Sequence, residues 1–512
     1  MKRGYLGSAA LLLATATVLA ACGGGKDSGS GSSGGASGQP GNSTPGKEAP
    51  TAISILVTFN TTEPPGADNV VVKEVEKRTN TALKINWVSG NSYGDKLNVT
   101  LASGDIPDLT LVIDPFASNI QQLIKDGAIW DLTPYIKDYK NLNAIPAQVW
   151  DGLKMGGKSY GIPRVRPLMN GGLLIRKDWI AKLGLPVPED MDQLFTTLKA
   201  FAEKDPDGNG KNDTFGISET GTGFVSLAHN VFNGSNGQWK LKDGKLVDTE
   251  LEPGTKLAIE WLKKVYDAKL IPPDFAVMQG SQSEDVVRSG GAGAIGGNYM
   301  GSWLIGEKQY KSVKADLSAL PYLKSPDGTK VALPGSGSYG MFVIPKSVPE
   351  AKLKKVLAFM DYGASQEGSD LGNYGFEGVH YNVVDGFKVA TEQATKDIVA
   401  QQAFGQIYAY YDKYLKAYAT GIPGDMYQNN KKIIDEAAKY AISDPKFGLV
   451  SPTELQVGGD YKKKISDLKI QIIMGKQPLS AWDDMVAKLK ADAQYQKIIA
   501  EVNDAYKAKM GK

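Results

Sequence analysis

A short acidic run is the part of this sequence whose residue types and spacing point most directly to chemistry. Oxygen-bearing side chains recur at alternate positions around a glycine, and a backbone carbonyl completes the pattern. The residues are Asp205, Asp207, Asn209, Gly210, Lys211 and Asp213. Ca²⁺ takes about six to eight hard oxygen ligands, and loops with this spacing supply them. We expect a structural Ca²⁺ site that ties down a surface loop and takes no part in a reaction.

The acidic run departs from the complete calcium loop at one position. Gly216 stands where the full pattern has a bidentate glutamate, so the remaining ligands would come from Thr214, Glu219 or water. Without a metal ion, the same residues would form a solvated turn after the helix that ends near Lys204. Both interpretations stay open at this point.

A Gly-x-Ser-x-Gly pattern at residues 90–94 introduces a hydrolase as an alternative. Ser92 would be the nucleophile, on a turn between a strand and a helix. Such a serine needs an acid and a histidine, and the chain has two histidines, His229 and His380. The same pattern recurs at residues 31–35 in a Gly/Ser-rich stretch, through composition alone. We favour a binding loop, in which Asn91 and Tyr93 face a cleft.

Cys22 is the only cysteine in the chain, and its position predicts its chemistry. Lys2 and Arg3 precede an apolar stretch at residues 8–21, which is shorter than the roughly 20 residues of a membrane-spanning helix. This pattern predicts a signal peptide over residues 1–21. Residues 19–22 (LAAC) resemble the lipobox of bacterial lipoproteins, so we expect Cys22 to carry a lipid. The alternative is a secreted chain without lipid.

The residues after Cys22 indicate a tether. Residues 23–50 contain no Leu, Ile, Val, Phe, Tyr or Trp, so they cannot bury enough apolar surface to fold. We therefore expect residues 22–50 to be a flexible linker. A lipid at one end and a folded body at the other would place that body at the extracellular face of the cell membrane, attached through the lipid anchor only.

Composition limits the function of the folded body. Hydrophobic residues make up 42% and charged residues 22% of the chain, which is typical of globular proteins. The 58 basic residues nearly balance the 56 acidic ones, and loss of Lys2 and Arg3 with the signal peptide makes the two signs equal. We therefore expect no nucleic-acid partner. Residues 51–512 are too many for one hydrophobic core, so two lobes are expected.

Strands and helices alternate in the first part of the body. Apolar, β-branched runs at residues 52–60, 83–89 and 107–114 predict strands, and the segments at 71–80 and 94–105 have helical spacing. This alternation predicts a parallel sheet, whose ligands bind at the carboxyl ends of the strands.

Four strings of residues carry a resemblance to a known family. They are LASGDIPDL (101–109), IRKDWIAKLGLPVPEDMDQL (175–194), DPDGNGKNDTFG (205–216) and YGFEGVHYNVVDG (374–386). The chain resembles the extracellular solute-binding proteins of ABC importers for oligosaccharides, in particular the large lipoproteins of Gram-positive bacteria that are similar to alginate-binding proteins. Related alginate-binding members carry a similar loop metal. The resemblance covers residues 50–512.

The resemblance implies a fold and a set of partners. The fold is α/β and periplasmic-binding-protein-like (type II), with two lobes that each contain a mostly parallel sheet flanked by helices, and with extra helices in the C-terminal part. Residues 51–163 and 336–390 would form the N-lobe, and residues 164–335 and 391–512 the C-lobe. The expected partners are an oligosaccharide and ABC permease subunits, and we expect a monomer without enzymatic activity.

Sugar binding requires aromatic faces and planar polar groups, and several residues qualify as contacts in the cleft. The aromatic candidates are Trp239, Trp303, Tyr339 and Tyr374, and the polar candidates are Thr61, Asn91, Asp114, Arg164 and Glu377, with Tyr93 on the strand-end loop. Trp179 and Trp261 lie on apolar helix faces, where packing is expected. Arg164 with Arg166 is alternatively a hinge salt bridge, and Asp114 a helix N-cap.

The sequence leaves the ligand open. A balanced charge fits a neutral glycan, whereas Arg164, Arg166 and Arg176 fit a uronate, and a peptide is a further alternative. Two other functions also remain: a surface carbohydrate-active hydrolase and a sugar sensor without a transport role. A glycosidase would need two carboxylates about 5 to 9.5 Å apart in the cleft, and nothing in the sequence orients such a pair.

Overall fold

The folded part of the chain begins with alternating strands and helices, as the sequence predicts. The computed structural model describes residues 48–59, 63–304, 314–384, 386–397, 399, 404–419 and 422–510. The strands are β1 (Thr51–Phe59), β2 (Thr81–Ser89), β3 (Leu109–Val112), β4 (Ile162–Val165), β5 (Gly171–Arg176), β6 (Trp239–Lys242), β7 (Lys245–Asp248), β8 (Ala294–Asn298), β9 (Leu317–Ala319), β10 (Leu323–Lys324), β11 (Lys330–Val331), β12 (Ser338–Val343), β13 (Tyr381–Val384) and β14 (Phe387–Ala390).

Helices follow or precede most of these strands. They are α1 (Val70–Thr79), α2 (Tyr93–Ser103), α3 (Ser118–Lys125), α4 (Lys140–Asn143), α5 (Ala147–Leu153), α6 (Lys177–Lys182), α7 (Met191–Glu203), α8 (Gly221–Asn233), α9 (Pro253–Asp267), α10 (Gly280–Arg288), α11 (Glu350–Gly363), α12 (Gln366–Tyr374), α13 (Glu392–Lys396), α14 (Gly424–Ala438), α15 (Pro452–Ile473), α16 (Ser480–Ala491) and α17 (Ala493–Lys509). Short 3₁₀ helices cover Ile136–Asp138, Thr249–Leu251, Tyr299–Trp303 and Phe404–Gln406.

The larger sheet has five strands in the order β2-β1-β3-β12-β4. β1 pairs in parallel with β2 and β3, whereas β12 runs antiparallel to β3 and β4. β1 is an almost continuous run of apolar and β-branched residues, and most of it is buried. Such runs are typical of parallel strands whose two faces are both covered. The parallel arrangement predicted for residues 52–114 is therefore confirmed.

β12 enters the middle of this sheet from far along the chain, and a glycine makes its approach possible. The register shifts between Ser338 and Met341, and Gly340 has φ +79°. A Cβ atom at Gly340 would lie 2.1 Å from the carbonyl oxygen of Val112, so a side chain has no room there. Because β12 pairs on both sides, its first residues lie beside the carboxyl ends of β3 and β4.

A second sheet contains β8, β5 and β9 in that order. β5 is antiparallel to both neighbours, which corrects our expectation of a mostly parallel sheet in this part of the chain. β5 pairs with strands that come from far along the chain, so no local connection in the sequence indicates their direction. Trp179 in α6 and Trp261 in α9 are buried beside this sheet, so both have the packing role predicted for them.

The C-terminal part is helical, as expected, and a buried polar cluster links it to the preceding elements. Lys469 of α15 lies 2.7 Å from Glu250, and both side chains are nearly inaccessible to solvent. Beside this ion pair, His229 Nε2 lies 2.8 Å from the Thr249 hydroxyl. Residues 50–512 form one compact unit, and the residue boundaries of the two lobes stay a prediction. Over the described part of the chain, no helix combines the length and apolarity that a membrane crossing needs.

Burial should keep His229 neutral over most of the accessible pH range. Burial and the positive charge of Lys469 lower the pKa of His229 from 6.5 to about 4. A histidine whose folded pKa is lowered contributes stability above pH 6.5, and this contribution, about 3 kcal/mol here, is lost as the pH falls to 4. Burial raises the pKa of Asp248 in the same cluster to about 6, which acts on stability in the opposite direction.

Nuclear magnetic resonance can follow the protonation of His229 separately from that of Asp248, because His380 is the only other histidine in the chain. We expect the His229 imidazole resonance, assigned with His229→Gln, to stay constant between about pH 8 and pH 5. A titration midpoint near 6.5 would contradict the buried, neutral state.

Candidate functional site

A cavity of about 560 Å³ is the best candidate site, because aromatic and charged side chains from distant segments meet in it. This volume is within the range of about 300 to 1,000 Å³ that is usual for small-molecule sites. Its walls come from the end of β4, the Tyr299–Trp303 helix, the end of α12, the β13–β14 hairpin, the stretch 405–419 and α14. A second cavity of about 370 Å³ has a single aromatic residue, Phe447, in its wall.

An aromatic cluster forms one side of the 560 Å³ cavity. The ring of Phe387 stacks on Tyr418 with 4.8 Å between centroids and an interplanar angle of 9°. Tyr427 packs edge-on against Phe387 at 5.0 Å. Tyr374 and Tyr381 form a further edge-on pair at 5.9 Å. Flat aromatic faces of this kind match the apolar faces of a sugar ring.

Charged side chains line the same cavity. Lys388 forms an ion pair with Asp370, and its ammonium lies 4.8 Å from the centroid of the Tyr374 ring. Asp412 accepts a hydrogen bond from the backbone N–H of Tyr414 at 2.8 Å. Arg166 donates to the Val165 carbonyl at 2.8 Å, and burial lowers its pKa. Burial and the nearby Arg166 also lower the pKa of Lys416.

Arg164 lies directly behind the cavity and connects β4 to the Phe404–Gln406 turn. Its Nε donates to the Gln406 carbonyl at 2.9 Å, and its guanidinium also contacts the side-chain oxygen of Gln406. The guanidinium carbon lies 5.1 Å from the centroid of the Tyr339 ring. Burial, with a smaller effect of Arg166, lowers the pKa of Arg164 to about 9. The salt bridge considered as an alternative role is not formed, because Arg164 has no carboxylate partner among the described residues.

The structure brings some of the predicted contacts together. Tyr374 lines the cavity, and Arg164 with Tyr339 lies next to it. Trp303 is half-buried at the end of the 3₁₀ helix that brings Met300 to the cavity wall. Glu377 is exposed in the turn before β13, outside the cavity wall.

Other predicted contacts lie elsewhere. Asn91 and Asp114 are exposed after β2 and β3, at the carboxyl edge of the larger sheet, and do not line this cavity. Thr61 lies outside the described residues. Arg176 is buried, with Asp178 at 2.6 Å and Trp179 under its guanidinium, so it is not available to the cavity.

Two predicted contacts are corrected. Tyr93 is fully buried, and its hydroxyl donates to the carbonyls of Leu111 at 2.6 Å and Leu56 at 3.2 Å. It is the first residue of α2, so its ring faces the sheet that the helix covers. Trp239 is 2% exposed in a hydrophobic cluster between the β6–β7 hairpin and α17. Both large rings are packed in the protein interior. Their glycine and polar neighbours in the sequence had indicated exposure instead.

Sequence reasoning missed most of the aromatic wall. Phe387, Tyr418 and Tyr427 are separated from one another along the chain and meet only through tertiary packing. One local signal was present, because an Asp-Gly pair at residues 385–386 between apolar runs is typical of a two-residue hairpin. That signal predicts the β13–β14 hairpin without indicating what Phe387 contacts.

The predicted calcium loop folds around its first aspartate. The Asp205 carboxylate accepts the backbone N–H groups of Gly208, Asn209 and Gly210, each at 3.0 Å. The Asn209 amide donates to Asp207 at 2.9 Å and to Asp213 at 3.0 Å, so the acidic side chains converge on one point. Partial burial and the neighbouring carboxylates raise the pKa of Asp207.

The additional ligands considered for this loop are engaged elsewhere. Thr214 donates to the Phe201 carbonyl at 2.6 Å, and Glu219 accepts the Gly296 N–H at 2.8 Å. Within the described ranges, no group of three or more His, Cys, Asp or Glu side chains has a metal-holding arrangement. The loop offers oxygen donors of the kind that a hard cation takes, but in this structure they are arranged as a hydrogen-bonded turn.

Neither histidine is arranged as a catalytic base for Ser92. Ser92 donates to the Ser89 carbonyl at 3.3 Å. His380 accepts the Phe376 N–H through Nδ1 and contacts Asp397 through Nε2, so both ring nitrogens are occupied. His229 is held by Thr249 in the buried polar cluster. The Gly-x-Ser-x-Gly pattern therefore has no partner histidine in this conformation.

Comparisons with known proteins give a consistent result. A family described as bacterial extracellular solute-binding protein matches residues 59–370. The lipoprotein LipO of Bacillus subtilis (strain 168) is 33% identical over 470 residues, which cover 89% of this chain and 92% of LipO. The polygalacturonan/rhamnogalacturonan-binding protein YtcQ of the same organism is 32% identical over 512 residues, which cover 97% of each chain.

A solved structure shows the same fold at low identity. It is an HMO-binding, ABC-transporter-associated solute-binding protein from Bifidobacterium longum infantis, with a TM-score of 0.71 and 18% identity. The match covers 90% of this chain and 99% of that one. At this identity the likeness concerns the fold alone.

The burial of Tyr93 leads to a test that separates packing from ligand contact. We expect Tyr93→Phe to lower the free energy of unfolding by about 1 to 2 kcal/mol, because two buried carbonyls lose a hydrogen-bond donor. Tyr339→Phe is the matched control, since its ring is 49% exposed, and should change stability little. Equal stabilities of the two variants in urea would contradict the packing role of Tyr93.

Proposed function

The chain belongs to the family of bacterial extracellular solute-binding proteins, and from that membership we propose that it captures an oligosaccharide outside the cell and delivers it to the permease of an ABC importer. Membership confirms the predicted family and the two-lobed α/β fold. The name of YtcQ describes a protein that binds polygalacturonan and rhamnogalacturonan, which supports a carbohydrate as the proposed ligand class.

The aromatic cavity is the single observation that carries this proposal. The stacked pair Phe387–Tyr418, with Tyr427 edge-on, offers apolar faces beside hydrogen-bonding groups such as Asn373 and Asp412. Sugars bind through such combinations, because their C–H faces pack on rings while their hydroxyl groups pair with planar polar groups.

Delivery would follow from a change in population between an open and a closed state. The cavity wall combines Arg166, which follows a strand of the larger sheet, with Met300, which follows a strand of the second sheet. A ligand that contacts both parts binds the state in which they are close more tightly, and this difference in affinity favours closure. The permease would then recognise the closed form.

We also propose that the protein acts as a binder without turnover, as a monomer held at the membrane by a lipid on Cys22. The occupied ring nitrogens of His380 and the ion-paired Asp370 support a binding role, because neither is poised as a general base. The sequence around Cys22 and the relationship to LipO support the lipid anchor. The alternative of a surface hydrolase or a sugar sensor has no comparable support.

Calcium is a separate proposal, supported by the loop at residues 205–213. Asp205, Asp207, Asn209 and Asp213 would hold the ion through side-chain oxygens, and Lys211 through its carbonyl. The Asn209 side chain contacts two carboxylates, Asp207 and Asp213, and its backbone N–H is accepted by Asp205, so the loop concentrates negative charge that a divalent cation would neutralise. The ion would stabilise the loop only, because the loop is not part of the cavity wall.

The calcium proposal predicts a stability change that depends on the loop. We expect Ca²⁺ to raise the thermal unfolding temperature, with a gain of about 2.7 kcal/mol at a concentration 100 times the dissociation constant. Asp207→Asn should abolish this gain, whereas Asp274→Asn, an exposed aspartate outside the loop, should retain it. The proposal fails if chelator and Ca²⁺ give the same unfolding temperature, or if Asp207→Asn responds like the wild type.

The transport proposal predicts an affinity that depends on the aromatic wall. Calorimetric titration of the chain from residue 22, with Cys22→Ser to prevent lipidation, should find a saturable oligosaccharide and no product by chromatography. Phe387→Ala should weaken binding at least about tenfold, or about 1.4 kcal/mol, because the stacking platform is lost. Tyr322→Ala, which breaks an aromatic pair outside the cavity, is the control. Product formation would favour the hydrolase, and an unchanged affinity for Phe387→Ala would move the site elsewhere.

A further inference from the structure

Two cations of the cavity wall, Arg166 and Lys416, have no acidic partner among the described residues. Arg166 donates to a backbone carbonyl, and Lys416 is half-buried close to it. Each cation raises the cost of charging the other, so burial and mutual repulsion lower the pKa of Lys416. Arg164, directly behind them, is also bound to neutral oxygen atoms only.

Within the described ranges, the two fully buried cations away from the cavity are paired with carboxylates. Lys469 has Glu250 at 2.7 Å, and Arg176 has Asp178 at 2.6 Å. These pairs follow the general rule that a buried charge needs a counter-charge. Arg164 is fully buried without such a partner, and Arg166 and Lys416, which are half-buried in the wall of the same cavity, also form no ion pair among the described residues.

The acidic groups of the cavity are already engaged. Asp370 is ion-paired with Lys388, and Asp412 accepts the Tyr414 N–H. No ion pair joins either carboxylate to Arg166 or Lys416 among the described residues. The wall therefore holds three cations, Arg166, Lys388 and Lys416, against two carboxylates beside an aromatic platform, and of the three cations only Lys388 is ion-paired in the described part of the chain. Local departures of this kind are expected at functional sites, where a ligand supplies the missing partner.

We propose that the cavity binds an acidic oligosaccharide, whose carboxylate is received by Arg166 and Lys416 while a sugar ring packs on the aromatic wall. This inference rests on the proposed function and specifies its ligand class. A guanidinium offers a planar fork that matches a carboxylate, and an ammonium adds a compact point charge. The same pair of cations would discriminate against neutral sugars, because such sugars leave the two charges unpaired.

Calorimetry with matched ligands tests the inference. Trigalacturonate, its methyl ester and maltotriose have similar size, and the first alone carries carboxylates. We expect trigalacturonate to bind at least tenfold more tightly than the other two, with an affinity that falls as salt is added. Arg166→Gln and Lys416→Gln should each weaken trigalacturonate at least tenfold. Lys413→Gln, an exposed lysine of the same segment that pairs with Asp435, is the control.

The unfolding temperature of the protein without ligand gives a second test of the inference. Lys416→Gln removes a half-buried cation without a counter-charge, so it should unfold at the same temperature as the wild type or at a higher one. A lower unfolding temperature would show that Lys416 has a structural role, and would overturn the inference.

The remaining outcomes distinguish the inference from the proposed function. If maltotriose and trigalacturonate bind alike and both glutamine variants bind normally, acidic specificity is wrong and oligosaccharide binding stands. If sodium sulfate alone displaces trigalacturonate at equal concentration, the cations form an inorganic anion site and the acidic sugar is wrong. If no oligosaccharide binds the wild-type chain, the proposed function fails together with the inference.

Discussion

Pairing of β12 between β3 and β4 is the constraint on which the rest of the structure depends. It obliges the chain to leave the larger sheet after β4, build the second sheet, and return to complete the first one. The return is possible because Gly340 allows β12 to approach the end of β3 within a distance that excludes a side chain. Segments after β12 then supply most of the cavity wall, which lies at the carboxyl end of β4.

Electrostatics distinguishes the cavity from the remainder of the fold. Away from the cavity, the buried Lys469 is paired with Glu250 and the buried Arg176 with Asp178. At the cavity, Arg164, Arg166 and Lys416 form no ion pair among the described residues, although Asp370 and Asp412 also belong to the wall. If a ligand carboxylate is received there, as proposed, it would supply the missing counter-charge.

Local patterns in the sequence predicted local structure well. The apolar runs of β1, β2 and β3, with helical spacing between them, predicted their parallel pairing, because a helix between two strands provides the long crossover connection that parallel strands need. The antiparallel pairing of β5 was not accessible, since strand direction depends on chain segments far apart. Tyr93 and Trp239 were misjudged for the same reason: their immediate neighbours suggested exposure, and distant elements bury them. The cavity wall combines residues from six separate segments, so its composition required the tertiary structure.

The central claim is that one aromatic, positively charged cavity binds the transported solute. A crystal structure of the chain from residue 22 with a bound acidic oligosaccharide tests this claim most directly. The account predicts ligand density against Phe387 and Tyr418, with a carboxylate near Arg166 and Lys416. Density at the carboxyl ends of β2 and β3, beside Asn91 and Asp114 and away from these residues, would contradict it.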